Sequence, residues 1–465
     1  MDQVIVVVYL LVVLVIGIWA GRKVVNVSQF SVGGRSFGTW VIFATLSASF
    51  IGGGFSTGNA EKVFRFGIAN IFALWGFSLK EILVAKFIAP RMKKYPEAIS
   101  VGDIMKTHYG SFGQIVTGIF SVILCAGILG AQVGAIGYIF KVFLGIAHIY
   151  GILIGCGIVI IYSTIGGMRA VVFTDVIQFV VLAIGIPLTV IFGIQYVGGW
   201  SSFVASIPAE HLSFSGTNSL TLIQFIGLFL TFLLGETLVP PYVQRLFLSK
   251  HTKHTERGTF YSGLFSIPFF AITGIIGLIA LSIDHTLDPN LAMPFVIMKA
   301  LPVGLKGIVI AGIISIVMSS ADSFLNSAAV AFSHDIIKPL SRKGFTDKIE
   351  LLYIRLSNLV TGVLAIIVAV KIKSILDILV YSYNFWSPVI LVPLLAVMLG
   401  LNPRRIHFIL SSAAGILAVS LWNFVLHKPF DLDGLVVGIL VNLLVFAISY
   451  KLIKNQSVVA VSASI

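Results

Sequence analysis

Residues 307–339, GIVIAGIISIVMSSADSFLNSAAVAFSHDIIKP, limit the fold of this chain more than any other stretch. The segment is apolar and long enough to cross a bilayer, yet its centre carries Ser319, Ser320, Asp322, Ser323, Asn326 and Ser327. Hydrocarbon solvates none of these groups, so each needs a protein partner, a water-lined cavity or an ion. On a helix, Ser319, Asp322 and Ser323 share one face, with Ser320 at its edge. Hydroxyls beside a carboxylate at that depth suit a small hard cation, because such ions take oxygen ligands. Serine hydroxyls can equally back-bond to carbonyls and pack against a neighbouring helix, which accounts for one or two serines but not for Asp322.

The rest of the chain has the composition of a polytopic membrane protein. It is 58% hydrophobic and 11% charged, with a mean hydropathy of +1.04. The net charge of +13 does not point to nucleic acid, since the Lys and Arg residues sit in alternate short loops and form no patch interleaved with aromatics. Cys125 and Cys156 lie inside apolar segments, where cysteine packs as a small hydrophobe. The nine histidines show no metal-ligand spacing, no phosphate-binding loop occurs, and no Ser–His or HExxH pattern suggests an enzyme.

Apolar stretches near spanning length number about thirteen: 4–20, 40–57, 67–90, 113–140, 150–166, 172–195, 220–239, 259–283, 305–333, 353–371, 374–400, 407–426 and 435–451. The fold class expected is an all-α polytopic membrane protein, one membrane domain over residues 1–465. The first span follows Met1-Asp2-Gln3 without a basic region, so it reads as a retained helix. Arg22 and Lys23 follow it, which sets the N-terminus outside; an odd count then sets the C-terminus in the cytoplasm. Loops assigned to the cytoplasm hold 21 of the 31 Lys and Arg residues, including Arg245 in the loop 242–258. The short remainder after Lys451 leaves no room for a soluble regulatory domain. The expected location is therefore the cell membrane, with no obligate protein partner evident.

Two spans look broken. Gly52, Gly53 and Gly54 interrupt the second and can free the carbonyls of residues 48–51. Gly235 and Pro240-Pro241 interrupt the seventh, with Glu236 between. Close helix packing explains such glycines, and a helix end explains such prolines. Interruptions at corresponding positions of two halves instead mark an inverted-repeat transporter. The repeats would be spans two to six (36–195) and seven to eleven (220–400), with a peripheral first helix at 1–22 and two C-terminal helices and a short tail at 401–465. In the sixth span, GGMRAVVFTDVIQF, Asp175 either sits in a first helical turn, where its charge suits the dipole, or supplies acid to the hydroxyl face of the ninth span.

The run IIYSTIGGMRAVVFTDVIQ resembles a signature of the sodium:solute symporter family. MSSADSFLNSAAVAFSHDIIKP and VGGRSFGTW…SASFIGGGFSTGNAE are similar to its sodium-binding helix and first core helix. The resemblance implies a LeuT-type inverted repeat in which sodium, as coupling ion, drives uptake of a small-molecule solute across the lipid bilayer by alternating access. It also implies a sodium site made by the carbonyls of Ala48, Ile51 and Ile316 with the hydroxyls of Ser319 and Ser320. A second ion site would draw on Asp175, Ser319, Asp322 and Ser323. Asp322 stands where members with that site have a hydroxyl, so it strengthens the site, carries a proton, or pairs with a basic side chain.

The wording around GGGFSTGNAEKVF, MSSADS and PPYVQRLFL resembles most the high-affinity choline transporters of that family. Recognition of a quaternary ammonium needs aromatic faces. The corresponding positions here are Phe50, Phe77, Ile128 and Val239, two rings and two aliphatics, which implies a different solute. Phe50 and Phe77 serve either that site or packing. Glu236 binds a cationic or amine-bearing solute, gates by protonation, or pairs with Lys80 or Lys86. Tyr242, Gln244 and Asn384 complete the substrate candidates. Proton coupling in the same fold and a non-transporting sensor are the competing functions.

Overall fold

The computed structural model describes residues 1–51, 53–214, 220–341, 346–371, 382–384 and 386–462. Among them the chain is helical, with one isolated bridge between Ser36 and Ser249. The long helices are α1 (Asp2–Gly21), α2 (Thr39–Phe50), α3 (Gly53–Phe66), α4 (Ala69–Leu83), α5 (Val101–Leu144), α6 (His148–Tyr196) and α7 (Leu222–Leu234). They continue with the short α8 (Pro240–Leu246), then α9 (Thr252–Ile283), α10 (Leu305–Val330), α11 (Asp347–Lys371), α12 (Arg405–Ser420) and α13 (Gly434–Ser462). Among the described residues eight helices are long and apolar enough to cross a membrane, or nine when the bent pair α2–α3 counts as one span. The first half of the expected eleventh span, 374–381, lies outside the described residues.

Helix α10 is the centre of the molecule. Its most apolar window is 94% buried, against 33% for those of α1, α6, α11, α12 and α13. Those outer helices give most of their surface to lipid, whereas the serines and Asp322 of α10 face protein on every side. α10 packs along α6 and α5, while α9 lies across α2, α3 and α4.

Local chemistry sets the helix boundaries. Ser100 caps α5 by accepting from the Asp103 amide at 3.1 Å, and Thr221 with Gln224 forms a capping box at the start of α7. The apolar stretches 150–166 and 172–195, expected as separate spans, are parted within α6 by non-helical backbone at Gly167 (φ 51°). A Cβ there would lie 2.5 Å from the Phe30 carbonyl oxygen. Both the positive φ and the close approach demand glycine, which explains the Gly-Gly pair in GGMRAVV.

Both expected breaks are present. α2 ends at Phe50 with Ile51 as its cap, and α3 leaves at a bend of 49°; Gly52 lies outside the described residues. α7 ends at Leu234 and α8 begins at Pro240, with Leu238 at φ 57° between them. Pro240 and Pro241 thus start a helix. Proline suits a first turn, where no intrahelical N–H partner is missing.

Candidate functional site

Two buried cationic side chains organise the interior around these breaks. The first is Arg245, on α8. The ninth-span hydroxyls and the C-terminal end of α2 meet around it. Its Nη2 donates to Ser49 Oγ (2.5 Å), Ser323 Oγ (2.6 Å) and Asp175 Oδ2 (2.9 Å). Its Nε donates to Thr45 Oγ1 (3.0 Å) and its Nη1 to the Pro241 carbonyl (3.1 Å). Both Arg245 and Asp175 are 0% exposed. A guanidinium suits such a place because its planar fork donates in several fixed directions at once.

Asp175 therefore joins the hydroxyl face of α10 and does not simply end a helix. Besides Arg245 it accepts from Ser319 Oγ (2.5 Å), Ser49 Oγ (3.3 Å) and Thr45 Oγ1. The assignment of Arg245 to a cytoplasmic loop is corrected here. Its charge lies in the interior, where only a carboxylate and several oxygens make a cation tolerable. Asp322 does not pair with a basic side chain among the described contacts; it accepts from the hydroxyl of Tyr162 and from Ser323 Oγ (3.1 Å).

Ser320 lies beside this network but outside it. Its hydroxyl donates to the carbonyl of Ser49 at 2.9 Å, at the C-terminal end of α2. Ser319 and Ser320 thus stand against the last turn of α2, which carries Ala48 and ends at the Ile51 cap. That turn has unclosed carbonyls because no helical N–H follows to donate to them. The Ile51 carbonyl accepts from Ser56 Oγ at 2.8 Å across the break. Ile316 is buried on α10, a turn before Ser319 and Ser320.

The second cation is Lys80, on α4. Its Nζ lies 3.6 Å from the ring centroid of Phe77, 4.8 Å from that of Tyr242 and 5.7 Å from that of Phe50. Glu81 Oε1 is 3.0 Å away, and Lys80 and Glu81 are 1% and 0% exposed. Tyr242 donates its hydroxyl to Glu81 Oε2 at 3.0 Å, and its ring meets Phe50 edge to face at 5.2 Å. The structure therefore brings Phe50, Phe77 and Tyr242 together, around a lysine that the sequence reading considered only as a partner for Glu236. Ile128 and Val239 are buried as well.

Glu236 sits in the link between α7 and α8. It forms no ion pair with Lys80 or Lys86 among the described residues: Lys80 is taken by Glu81, and Lys86 is exposed over Phe87. One of its carboxylate oxygens accepts from the Tyr383 hydroxyl, and the other is buried without a partner. Gln244 accepts from Ser327 Oγ at 2.6 Å. Asn384 is buried with both amide atoms unpartnered.

Residues 30–404 match the profile of the sodium:solute symporter family. The chain belongs to the sodium:solute symporter family. Relatives of this chain include the high-affinity choline transporter 1 of Drosophila melanogaster, 27% identical over 82% of this chain. The chain spans 63% of that relative's length. The osmoregulated proline transporter OpuE of Bacillus subtilis (strain 168) is 25% identical over 83% of this chain and 82% of its own. In structure the chain resembles a Na+-coupled sialic acid symporter, with a TM-score of 0.84 at 20% identity and 97% of each chain covered. It also resembles a nucleobase-cation-symport-1 family transporter, with a TM-score of 0.63 at 15% identity over 93% of this chain and 96% of the other. The fold is LeuT-type.

A further cluster was not anticipated from the spacing of the histidines. His334 faces Asp103 through one ring nitrogen (2.9 Å) and Glu350 through the other (2.5 Å). Asp335 accepts from Ser100 Oγ at 2.6 Å and Gln114 Nε2 at 3.4 Å. The side chains of Asp103, His334 and Asp335 are close enough to share an ion. Their existing partners make the cluster a tie between α5, the end of the α10 span and α11.

Proposed function

We propose that the chain is a sodium-coupled secondary active symporter that imports a small polar organic solute by alternating access. The observation that carries the reading is the break after α2, beside which Ser320 of α10 donates to the Ser49 carbonyl and Ser319 meets Ser49 Oγ. Carbonyl and hydroxyl oxygens without a nearby free carboxylate suit a monovalent hard ion. Sodium would be held by the carbonyls of Ala48, Ile51 and Ile316 and by the hydroxyls of Ser319 and Ser320. Ser320 would then turn a lone pair to the ion in place of its bond to the Ser49 carbonyl. Binding there would tie α2 to α10, and release into a low-sodium cytoplasm would loosen the contact.

The solute chamber is assigned to Phe50, Phe77, Tyr242 and Glu236, between the two broken helices. The repeats are taken as 36–195 and 220–400, with the N-terminus outside and the C-terminus in the cytoplasm. The relatives named for choline and proline support a small organic solute. Choline itself is not carried over, because Ile128 and Val239 offer no ring face. Asp175, Asp322 and Ser323 would form a second ion site only if Arg245 withdrew, so coupling to one sodium ion is the simpler reading.

The test is uptake into proteoliposomes under an inward sodium gradient, paired with thermal stability of the purified protein in sodium and in potassium. The solutes are amino acids, betaine, short monocarboxylates, pantothenate and urea. A ligand of the folded state raises apparent stability by mass action. Stabilisation by one solute class in sodium alone, with matching uptake, is expected. A response to low pH but not to sodium would replace the sodium reading with proton coupling, and binding without uptake would make the chain a sensor.

A further inference from the structure

We propose that Lys80 is a built-in occupant of an aromatic cage: its ammonium fills the position that a small methylated ammonium ion would take, and so excludes that solute class. The argument begins with the surroundings of Nζ. Three ring faces and one carboxylate converge on it, from α2 (Phe50), α4 (Phe77, Glu81) and α8 (Tyr242). Rings attract a cation through their negative faces without asking for hydrogen bonds. Nζ has no hydrogen bond of good geometry, and its 3.0 Å approach to Glu81 is an ion-pair contact. An ammonium held this way uses little of its donor capacity, and a cation lacking N–H groups would lose little in its place.

The surroundings also explain why an apolar span tolerates a lysine followed by a glutamate. A packing lysine would reach water with its head group. This one is 1% exposed and turned inward. Phe50 and Tyr242 flank the two helix breaks, where the family fold sets its moving parts, so the cage is built at the chamber and not on a lipid face. A tethered ammonium competes at an effective concentration of roughly millimolar or more. A free cation of weaker affinity does not displace it.

The proposal rests on assigning Phe50, Phe77 and Tyr242 to the solute chamber, and its test is separable from that of sodium coupling. Lys80→Ala removes as many heavy atoms as trimethylammonium contains and leaves the rings and Glu81. Trimethylammonium and tetramethylammonium chlorides are the probes, and thermal stability with isothermal titration is the readout, in potassium and in sodium. The variant is expected to bind at least about tenfold more tightly than the wild type, the gain a desolvated cation–π contact supplies. Phe77→Leu in the same background should remove that gain.

Because Lys80→Ala leaves a buried carboxylate unpaired, the Lys80→Ala/Glu81→Gln variant is measured beside it. It keeps the rings without the charge and should gain binding more weakly. Recovery of folded Lys80→Ala only when a probe is present also carries the proposal. It is overturned if both variants fold and neither binds the probes better than the wild type. It is equally overturned if the wild type binds them in a Phe77-dependent way. A gain that is the same in sodium and potassium still establishes the cage and leaves sodium coupling to its own test.

Discussion

The two buried cations of this protein are held in opposite ways. Arg245 sits among oxygens, donating to Ser49, Ser323, Asp175, Thr45 and the Pro241 carbonyl. Lys80 sits among rings, with Glu81 as its ionic partner. A guanidinium in a directional network fixes the relative position of every group it touches, here on α2, α6, α8 and α10. An ammonium over ring faces fixes little, since the attraction is radial. The same formal charge thus serves as a brace in one region and as a discriminator in the other, and each role has its own way to fail.

The largest effect is expected at the brace. Arg245→Met leaves Asp175 buried without its counter-charge, which costs about 3–5 kcal/mol. Unfolding of the detergent-purified variant should show that loss. The Arg245→Met/Asp175→Asn variant should recover most of it, because no lone charge remains. If the double variant is as unstable as the single one, the ion pair is not what braces these helices.

The next effect belongs to the ion that the brace leaves room for. Ser320→Ala removes one hydroxyl from the proposed sodium cage and one hydrogen bond to the Ser49 carbonyl. Stability without sodium should fall by about 1 kcal/mol. The sodium concentration for half-maximal stabilisation should rise about tenfold, as when one charge-assisted contact is lost. An unaltered sodium dependence would take Ser320 out of the cage.

Asp322→Asn comes third. Tyr162 and Ser323 donate to different oxygens of Asp322. Asparagine keeps an acceptor for one of them and turns N–H groups to the other, so the variant should lose about 1 kcal/mol and keep the sodium Hill slope of the wild type. A lower slope would show that a second ion shares the Asp175 region despite Arg245, and would reduce the contrast between brace and discriminator.

The sequence announced the membrane spans, the two breaks and the polar face of α10 because each depends on local pattern: hydropathy, glycine and proline, and helical spacing. The juxtaposition of Asp175 with Ser319 was one of two readings, since chain order alone does not bring α6 to α10. Arg245 was misplaced for a similar reason. Charge near the end of a span reads as a loop, and only tertiary packing reveals that α8 folds back inside. Lys80 carried a visible signal, a Lys-Glu pair inside an apolar span, but two of its three ring partners, Phe50 and Tyr242, come from other helices. The separation of 150–166 from 172–195 matches the non-helical backbone at Gly167, where a positive-φ glycine interrupts helical geometry.

The smallest effect on stability, and the most selective on function, is expected at Glu236. One of its oxygens accepts from Tyr383 and the other is buried without a partner. Glu236→Gln keeps an acceptor for Tyr383 and gives the other position an N–H donor, so stability should change by less than about 1 kcal/mol. If Glu236 faces the solute, the affinity for the stabilising solute should fall about tenfold or more while the sodium dependence of the ligand-free protein stays as it was. This separates the chamber from the sodium cage by measurement, as Arg245 and Lys80 separate brace from discriminator by geometry. A loss of sodium dependence with solute affinity intact would move Glu236 to the ion pathway and leave Lys80 and its rings as the chamber's selective feature.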